Sequence, residues 1–202
     1  MPVSVVPSLT FEVPLDPATF GPGSFRLASG ELVPGGTASY SVVDRTIAFT
    51  PGVNLRARLA YAAQLEGGVR GIDGSAPVEP VEVVFVTGSD DLGRLPSPPD
   101  PGFDEDVLPL VASRCATCHG AERPAGGLPL ATAEDLLETV SRASGEWIGW
   151  TIVVAGSPER SYLLYKVTDA PGLVGRRMPP EAPLMRDEAA TLERWIVLGA
   201  RR

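Results

Sequence analysis

Both cysteines and the only histidine of this 202-residue chain fall within one run of five residues, Cys115-Ala116-Thr117-Cys118-His119. No other feature restricts the chain so much. The C-x-x-C-H spacing is that of covalent c-type haem attachment. Two thiols on one helical turn can each add across a haem vinyl group to form a thioether. The histidine that follows then presents its imidazole to the iron as proximal ligand. Three other readings compete for the same residues. A redox-active C-x-x-C belongs beside a βαβ unit, whereas a helix and loop pattern follows here. A zinc site takes about four ligands, more than two cysteines and one histidine supply. A disulfide between Cys115 and Cys118 leaves His119 without a role. The expected cofactor is one covalent haem c, held by Cys115 and Cys118 and ligated by His119.

A haem that only carries electrons needs a second axial ligand, and no histidine remains to provide it. Methionine is the alternative, and its thioether raises the reduction potential relative to a second histidine. Of the three methionines, Met1 is terminal and Met185 adjoins the last predicted helix. Met178 sits in Arg176-Arg177-Met178-Pro179-Pro180, where two prolines stiffen the loop. Preorganisation of that kind favours Met178 as the iron ligand, with ordinary packing as the role of Met185. Arg176 and Arg177 are candidates to pair with haem propionates, or else solvated loop charges. The proximal imidazole needs an acceptor for its second N–H. A backbone carbonyl near Gly127–Leu130, in the tight loop Ala125-Gly126-Gly127-Leu128-Pro129-Leu130, is the candidate.

The length fits two small domains. With 22 glycines and 21 prolines, turns are plentiful. Residues 1–88 read as β: short runs at Leu9–Val13, Ser24–Leu27, Ala38–Val43, Thr46–Thr50, Arg58–Leu65 and Val81–Thr87 alternate with turn signals such as Pro34-Gly35-Gly36 and Asp73-Gly74. That spacing predicts an antiparallel sandwich with Phe11, Phe25, Phe49, Tyr61 and Phe85 as core aromatics. Residues 89–102 hold four prolines within seven positions and read as a semi-rigid linker. From Phe103 the period becomes helical. A turn leads into a helix over about 109–117, with Pro109 in its first turn. A second helix opens on Thr132 with Asp135 closing a capping box. A third opens on Ser157-Pro158 with Tyr162, Leu163 and Val167 inward, and a last runs from about 187 to 198 before Gly199. The aromatic run Trp147–Val154 reads as core, or as one tryptophan lining a haem crevice.

Two resemblances follow from these residues. Leu9-Thr10-Phe11, Pro14-Leu15-Asp16-Pro17-Ala18-Thr19, Ile47-Ala48-Phe49-Thr50-Pro51, Tyr61, Gly71-Ile72-Asp73-Gly74 and Phe85-Val86-Thr87-Gly88, in that order, resemble a bacterial immunoglobulin-like domain of the S-layer and surface-protein type. Such domains serve as spacers and docking modules outside the cell. Cys115-x-x-Cys118-His119-Gly120, Gly126-Gly127-Leu128-x-Leu130, Gly156-Ser157-Pro158-Glu159-x-Ser161-x-Leu163, Lys166-Val167, Arg177-Met178-Pro179-Pro180 and Leu192-x-x-Trp195-Ile196-x-x-Gly199-Ala200 resemble class I-type monohaem cytochrome c domains of planctomycete and myxobacterial multidomain proteins. Ala155 departs from that pattern, where a proline commonly precedes the glycine. The second resemblance implies an all-α cytochrome c fold over 103–202, with His119 and Met178 as axial ligands.

The combined expectation is a two-domain electron carrier, an Ig-like β-sandwich joined to a monohaem cytochrome c domain, with redox proteins as partners. A larger membrane or surface complex is one setting for such a chain. The formal net charge of −8, without a basic tail or stripe, argues against nucleic acid as a partner. No apolar run reaches the ~18 residues of a membrane span. Met1-Pro2-Val3-Ser4 lacks a leader pattern. Because c-type haem is attached outside the cytoplasm, a periplasmic or cell-surface location is expected, with any leader or anchor not present in this sequence. Two alternatives carry weight: a haem enzyme of peroxidase type, and an attachment subunit whose β domain is the operative part. The first is disfavoured because His119 leaves no histidine for acid–base work.

Overall fold

Strands form in the first half because small or polar residues alternate with large apolar ones between proline and glycine breaks. The computed structural model describes residues 1–75, 78–91, 99–172 and 174–202. The chain divides into two units, Met1–Pro98 and Pro99–Arg202. Among the described residues the first contains six strands: β1 (Ser8–Thr10), β2 (Phe25–Ala28), β3 (Gly36–Ser41), β4 (Thr46–Pro51), β5 (Ala60–Leu65) and β6 (Val81–Val86). They pair antiparallel into two three-stranded sheets, in the orders β1-β4-β3 and β2-β5-β6. The period-2 pattern fixes the register. Ile47 and Phe49 of β4 point inward, as do Tyr61, Ala63 and Leu65 of β5 and Phe25 and Leu27 of β2. Strands β2 and β4 meet, so the two buried faces share one core with Leu15, Val42, Leu55 and Val69. Each large apolar side chain buried there contributes about 1.5–3 kcal/mol. Gly36 opens β3 opposite Pro51, and a Cβ there would stand 2.6 Å from the Phe49 ring.

Two of the five expected core aromatics are only half-buried. Phe11 lies beyond the end of β1. Phe85 lies on β6, an edge strand with a neighbour on one side only, and stacks on Tyr61 at 5.9 Å. Val84 and Val86 of β6, 62% and 57% exposed, share the outward face with Glu82 opposite Ala62 and Ala60, as the alternation of a half-buried strand requires. Tyr40 takes a core place that the pattern did not single out, and its hydroxyl oxygen accepts the Leu15 N–H at 3.0 Å.

Hydrogen bonding of the first unit continues to Asp91. The Asp90 carbonyl accepts Val3 N–H at 3.0 Å, and the Asp91 carboxylate accepts Asn54 Nδ2 at 2.6 Å. Within the linker read at 89–102, residues 92–98 lie outside the described residues. Gly102 already belongs to the second unit, where its N–H bonds Asp106 Oδ2 and its carbonyl accepts from Asp106 and Val107.

The second unit is helical, as expected, but its helix content is modest, so the all-α class holds only in part. Its helices are α1 (Leu108–Arg114), α2 (Ala133–Glu138), α3 (Tyr162–Thr168) and α4 (Arg186–Val197), preceded by a wide helical turn at Phe103–Val107. Short 3₁₀ turns occur at Ala125–Gly127 and Pro158–Arg160, and isolated bridges join Val140 to Val153 and Thr151 to Ser161. Proline and glycine at 120–129, 156–158 and 171–183 explain the irregular backbone, since they break both helix and ladder. Pro109 sits in the first turn of α1, where its missing N–H costs nothing. Thr132 and Asp135 form the capping box of α2. The helix expected from Ser157 is split, because Ser161 is extended and its hydroxyl bonds the backbone of Val154 and Ser157. Leu164 and Tyr165 are consequently buried, and Leu163 only half so. In the run 147–154, Ile152 and Val153 are buried, whereas Ile148 is 93% exposed. Phe103 packs against Trp195 at 6.1 Å, and Asp100 pairs with Arg194 at 2.6 Å, which closes the start of the unit on its last helix. No helix among the described residues is long and apolar enough to cross a membrane.

Two substitutions test the first unit. Leu27→Ala, at a fully buried site, is expected to cost about 2–5 kcal/mol in urea unfolding followed by tyrosine fluorescence. Val84→Thr on the edge strand is expected to stay within about 0.5 kcal/mol.

Candidate functional site

The site is built where α1 ends. Cys115 N–H bonds Val111 O at 2.8 Å as the last helical link, and His119 N–H turns back to Cys115 O at 2.9 Å. This turn brings the two cysteines and the histidine onto one short stretch. Both cysteines are free thiols, Cys115 half-buried and Cys118 exposed. Burial pushes the Cys115 thiol up to about 11, against a smaller opposing pull from Arg114.

His119 is half-buried, and its Nδ1 lies 2.9 Å from Leu128 O. A carbonyl only accepts, so Nδ1 carries a proton, and the lone pair of the neutral imidazole is then on Nε2. The acceptor falls within the 127–130 stretch that the sequence pointed to. Three contacts hold it in place. Leu130 N–H bonds His119 O at 2.8 Å, Ala125 N–H bonds Cys118 O at 2.9 Å, and Arg142 Nη2 bonds Gly127 O at 2.9 Å. Gly126 and Gly127 have φ of 59° and 65°, a consecutive left-handed pair that makes this tight reversal.

Met178 is half-buried, its N–H bonds Lys166 O at 2.8 Å, and its peptide bond to Pro179 is cis. Met185 is 73% exposed at the start of α4, and Met1 lies in the first unit. The neighbouring arginines do different work from each other. Arg177 donates to the carbonyls of Val167 (3.2 Å) and Leu184 (3.5 Å), so its guanidinium is tied to the backbone. Arg176 is exposed. Arg114, directly before Cys115, donates to the carbonyls of Ala182 and Pro183 and pairs with Glu188 at 3.2 Å. It thus ties the end of α1 to the segment that follows the Met178 loop.

A polar cluster that the periodicity did not reveal lies beside the Met178 loop. Lys166 is 8% exposed, and its ammonium pairs with Glu146 at 2.8 Å and donates to Val174 O at 2.8 Å. Tyr162 OH lies 3.1 Å from Glu146 Oε2. The hydrogen bond from Lys166 holds the Glu146 carboxyl below the usual carboxylate range, with smaller help from the Lys166 charge, Tyr162 and His119. Burial, then Glu146, pushes the Tyr162 phenol up. The available signals were the place of Lys166-Val167 in the resemblance above and a lysine, the only one in the chain, inside the apolar run Tyr162-Leu163-Leu164-Tyr165-Lys166-Val167. A wall of four rings borders the cluster: Trp147 against Trp150 (5.0 Å) and Tyr162 (5.6 Å), and Trp150 against Tyr165 (5.1 Å).

Residues 115–182 match the family model described as Planctomycete cytochrome C, so the match begins on the first cysteine and takes in Met178. The second unit carries a cytochrome c-like domain. No curated protein matches the chain. Among solved structures, the S-layer protein rSbsC(31-844) is similar at 21% identity and a TM-score of 0.34, over 42% of this chain and 12% of that one. The chain therefore spans a small part of that protein, and at such a TM-score the likeness says nothing further about this one. The donor set fits the haem that such a domain implies. Two free thiols stand three residues apart, followed by an imidazole whose Nδ1–H is already committed to a carbonyl.

Two measurements check this geometry. In chain produced with free thiols, iodoacetamide is expected to label Cys118 at least about tenfold faster than Cys115, read by peptide mass spectrometry, because the thiolate is the reacting form. Glu146 has a depressed pKa, so its contribution to stability is complete above the unfolded carboxylate pKa and is lost as pH falls through the folded one. Glu146→Gln is expected to flatten that part of the acid-stability curve in thermal melts between pH 7 and about 3.

Proposed function

We propose that this chain is a c-type cytochrome that carries electrons through one haem held by thioethers to Cys115 and Cys118, with His119 and Met178 as axial ligands. The observation that carries the reading is the His119 Nδ1–H···O=C Leu128 bond at 2.9 Å beside two free thiols. It orients the imidazole and raises its basicity, which is what an iron ligand requires. The half-buried position of Met178, against the exposure of Met185, supports the choice between methionines. When bound, the haem supplies a one-electron couple between ferric and ferrous iron. The chain's own part would be to anchor it through Cys115 and Cys118 and to supply His119 and Met178 as ligands. His119 is the only histidine and is committed as a ligand, so no imidazole remains for peroxide chemistry. The reading is a carrier, with no substrate turned over at iron.

The first unit, with its two antiparallel sheets, then serves as an Ig-like module that spaces or docks the haem domain toward a redox protein or a larger complex. Covalent haem attachment and the family match support a place outside the cytoplasm, in the periplasm or at the cell surface.

Production with a haem-attachment system tests the reading. The expected product keeps its haem through acid–acetone extraction. Its ferric form shows the weak long-wavelength sulfur-to-iron band. Met178→Ala is expected to abolish that band while the haem stays attached, and Cys115→Ala with Cys118→Ala to lose the haem altogether. A band that survives Met178→Ala, or persists only until Met185 is replaced, refutes the ligand assignment.

A further inference from the structure

One residue grips both ends of the loop that presents Met178. Lys166 Nζ donates to Val174 O at 2.8 Å, and Lys166 O accepts the Met178 N–H at 2.8 Å. The five residues from Val174 to Met178 are thereby closed into a ring on a single position of α3. We propose that Lys166 is a positioning residue for the methionine ligand, acting through this double attachment. The inference rests on the reading of Met178 as an iron ligand.

Several features indicate a built clamp rather than a stray lysine. A lysine is seldom fully buried without a partner, because its charge loses hydration there. Here the ammonium is 8% exposed by residue and has three partners: the Glu146 carboxylate, the Val174 carbonyl and the face of the Tyr162 ring at 5.8 Å. Tyr162 OH stands 3.3 Å from the same Val174 carbonyl. Gly175 next to it has φ of +75°, and a Cβ there would sit 3.2 Å from Lys166 Nζ and 3.4 Å from Glu146 Oε1. The loop thus passes the ammonium at a distance only glycine allows comfortably. Arg177 adds a further hold through Val167 O, one residue along α3. A loop without ladder partners keeps one conformation only if its carbonyls are satisfied in that conformation, and Lys166 satisfies the first of them.

The consequence concerns how firmly the thioether is kept at the iron. With haem bound, a held loop would keep the Met178 sulfur close to the iron, whereas a freed loop would let another ligand compete. Only the fraction of time the sulfur is away admits the competitor, so loosening the loop raises the competitor's apparent affinity in proportion.

The experiment uses the haem-loaded full chain and three variants: Lys166→Met, which keeps length and apolar stem; Gly175→Ala, which disturbs the clamp from the loop side; and Met178→Ala as the ligation control. Two readouts are taken. Hydrogen exchange over residues 174–178 reads the clamp without reference to iron. Imidazole titration of the ferric protein reads retention of the methionine. Lys166→Met is expected to speed exchange of that segment at least about tenfold and to tighten apparent imidazole binding at least about tenfold, with haem content and helical circular dichroism unchanged. Gly175→Ala is expected to shift both in the same direction, and decides the matter if Lys166→Met does not fold. Exchange and imidazole affinity both within twofold of the parent overturn the proposal. So does faster exchange without a change in imidazole binding in a protein whose sulfur band Met178→Ala removes. A band untouched by Met178→Ala instead identifies failure of the ligand assignment, and exchange alone then decides whether Lys166 clamps the loop.

Discussion

The second unit depends first on the hydrogen bond between His119 Nδ1 and Leu128 O. It fixes the tautomer of the only imidazole in the chain and leaves the opposite nitrogen as a lone-pair donor. To supply the carbonyl, the backbone must reverse sharply after Cys118, which is why two adjacent glycines with positive φ precede Leu128. The reversal is in turn held by Arg142 on Gly127 O and by Leu130 N–H on His119 O. Removing any one of these leaves a carbonyl or an imidazole proton without a partner.

Long cationic side chains take over a task that helices and sheets perform elsewhere. The helices of this unit are short, and proline and glycine interrupt the segments between them. Carbonyls in such segments lack ladder partners and still have to be satisfied. Arg142 serves Gly127, Lys166 serves Val174, Arg177 serves Val167 and Leu184, and Arg114 serves Ala182 and Pro183. Arg114 and Arg177 converge on 182–184, one from beside Cys115 and the other from beside Met178. The backbone at 182–184 thus carries contacts from both neighbourhoods. Surface charge pairs contribute little on average, but a buried ammonium with a carboxylate and a carbonyl is costly to break.

Much of this was legible in the residues. The five-residue motif, the Thr132 and Asp135 cap, the first-turn place of Pro109 and the carbonyl near Leu128 all rest on local rules, in which a few neighbouring residues suffice. What failed depended on position within the fold. Phe85 reads as a core aromatic, but β6 lies at a sheet edge and leaves it half-buried. Ile148 belongs to an aromatic run that reads as core and points outward, because Gly149, with φ of 86°, turns the chain there. The helix expected from Ser157 divides at Ser161, whose hydroxyl finds backbone partners that no helical pattern announces.

The sequence by itself determined which donors are available: two thiols and one imidazole within five residues, and three methionines of which one lies between an arginine pair and a proline pair. Only the tertiary structure decided how those groups are held. Lys166, Glu146 and Tyr162 are far apart or unremarkable in the chain and become one cluster when α3 packs against the segments around 146 and 174. The reason is physical. Covalent spacing fixes which donors can share one turn of backbone. The burial that makes a lysine seek a carboxylate and a carbonyl exists only once distant segments have excluded water around it.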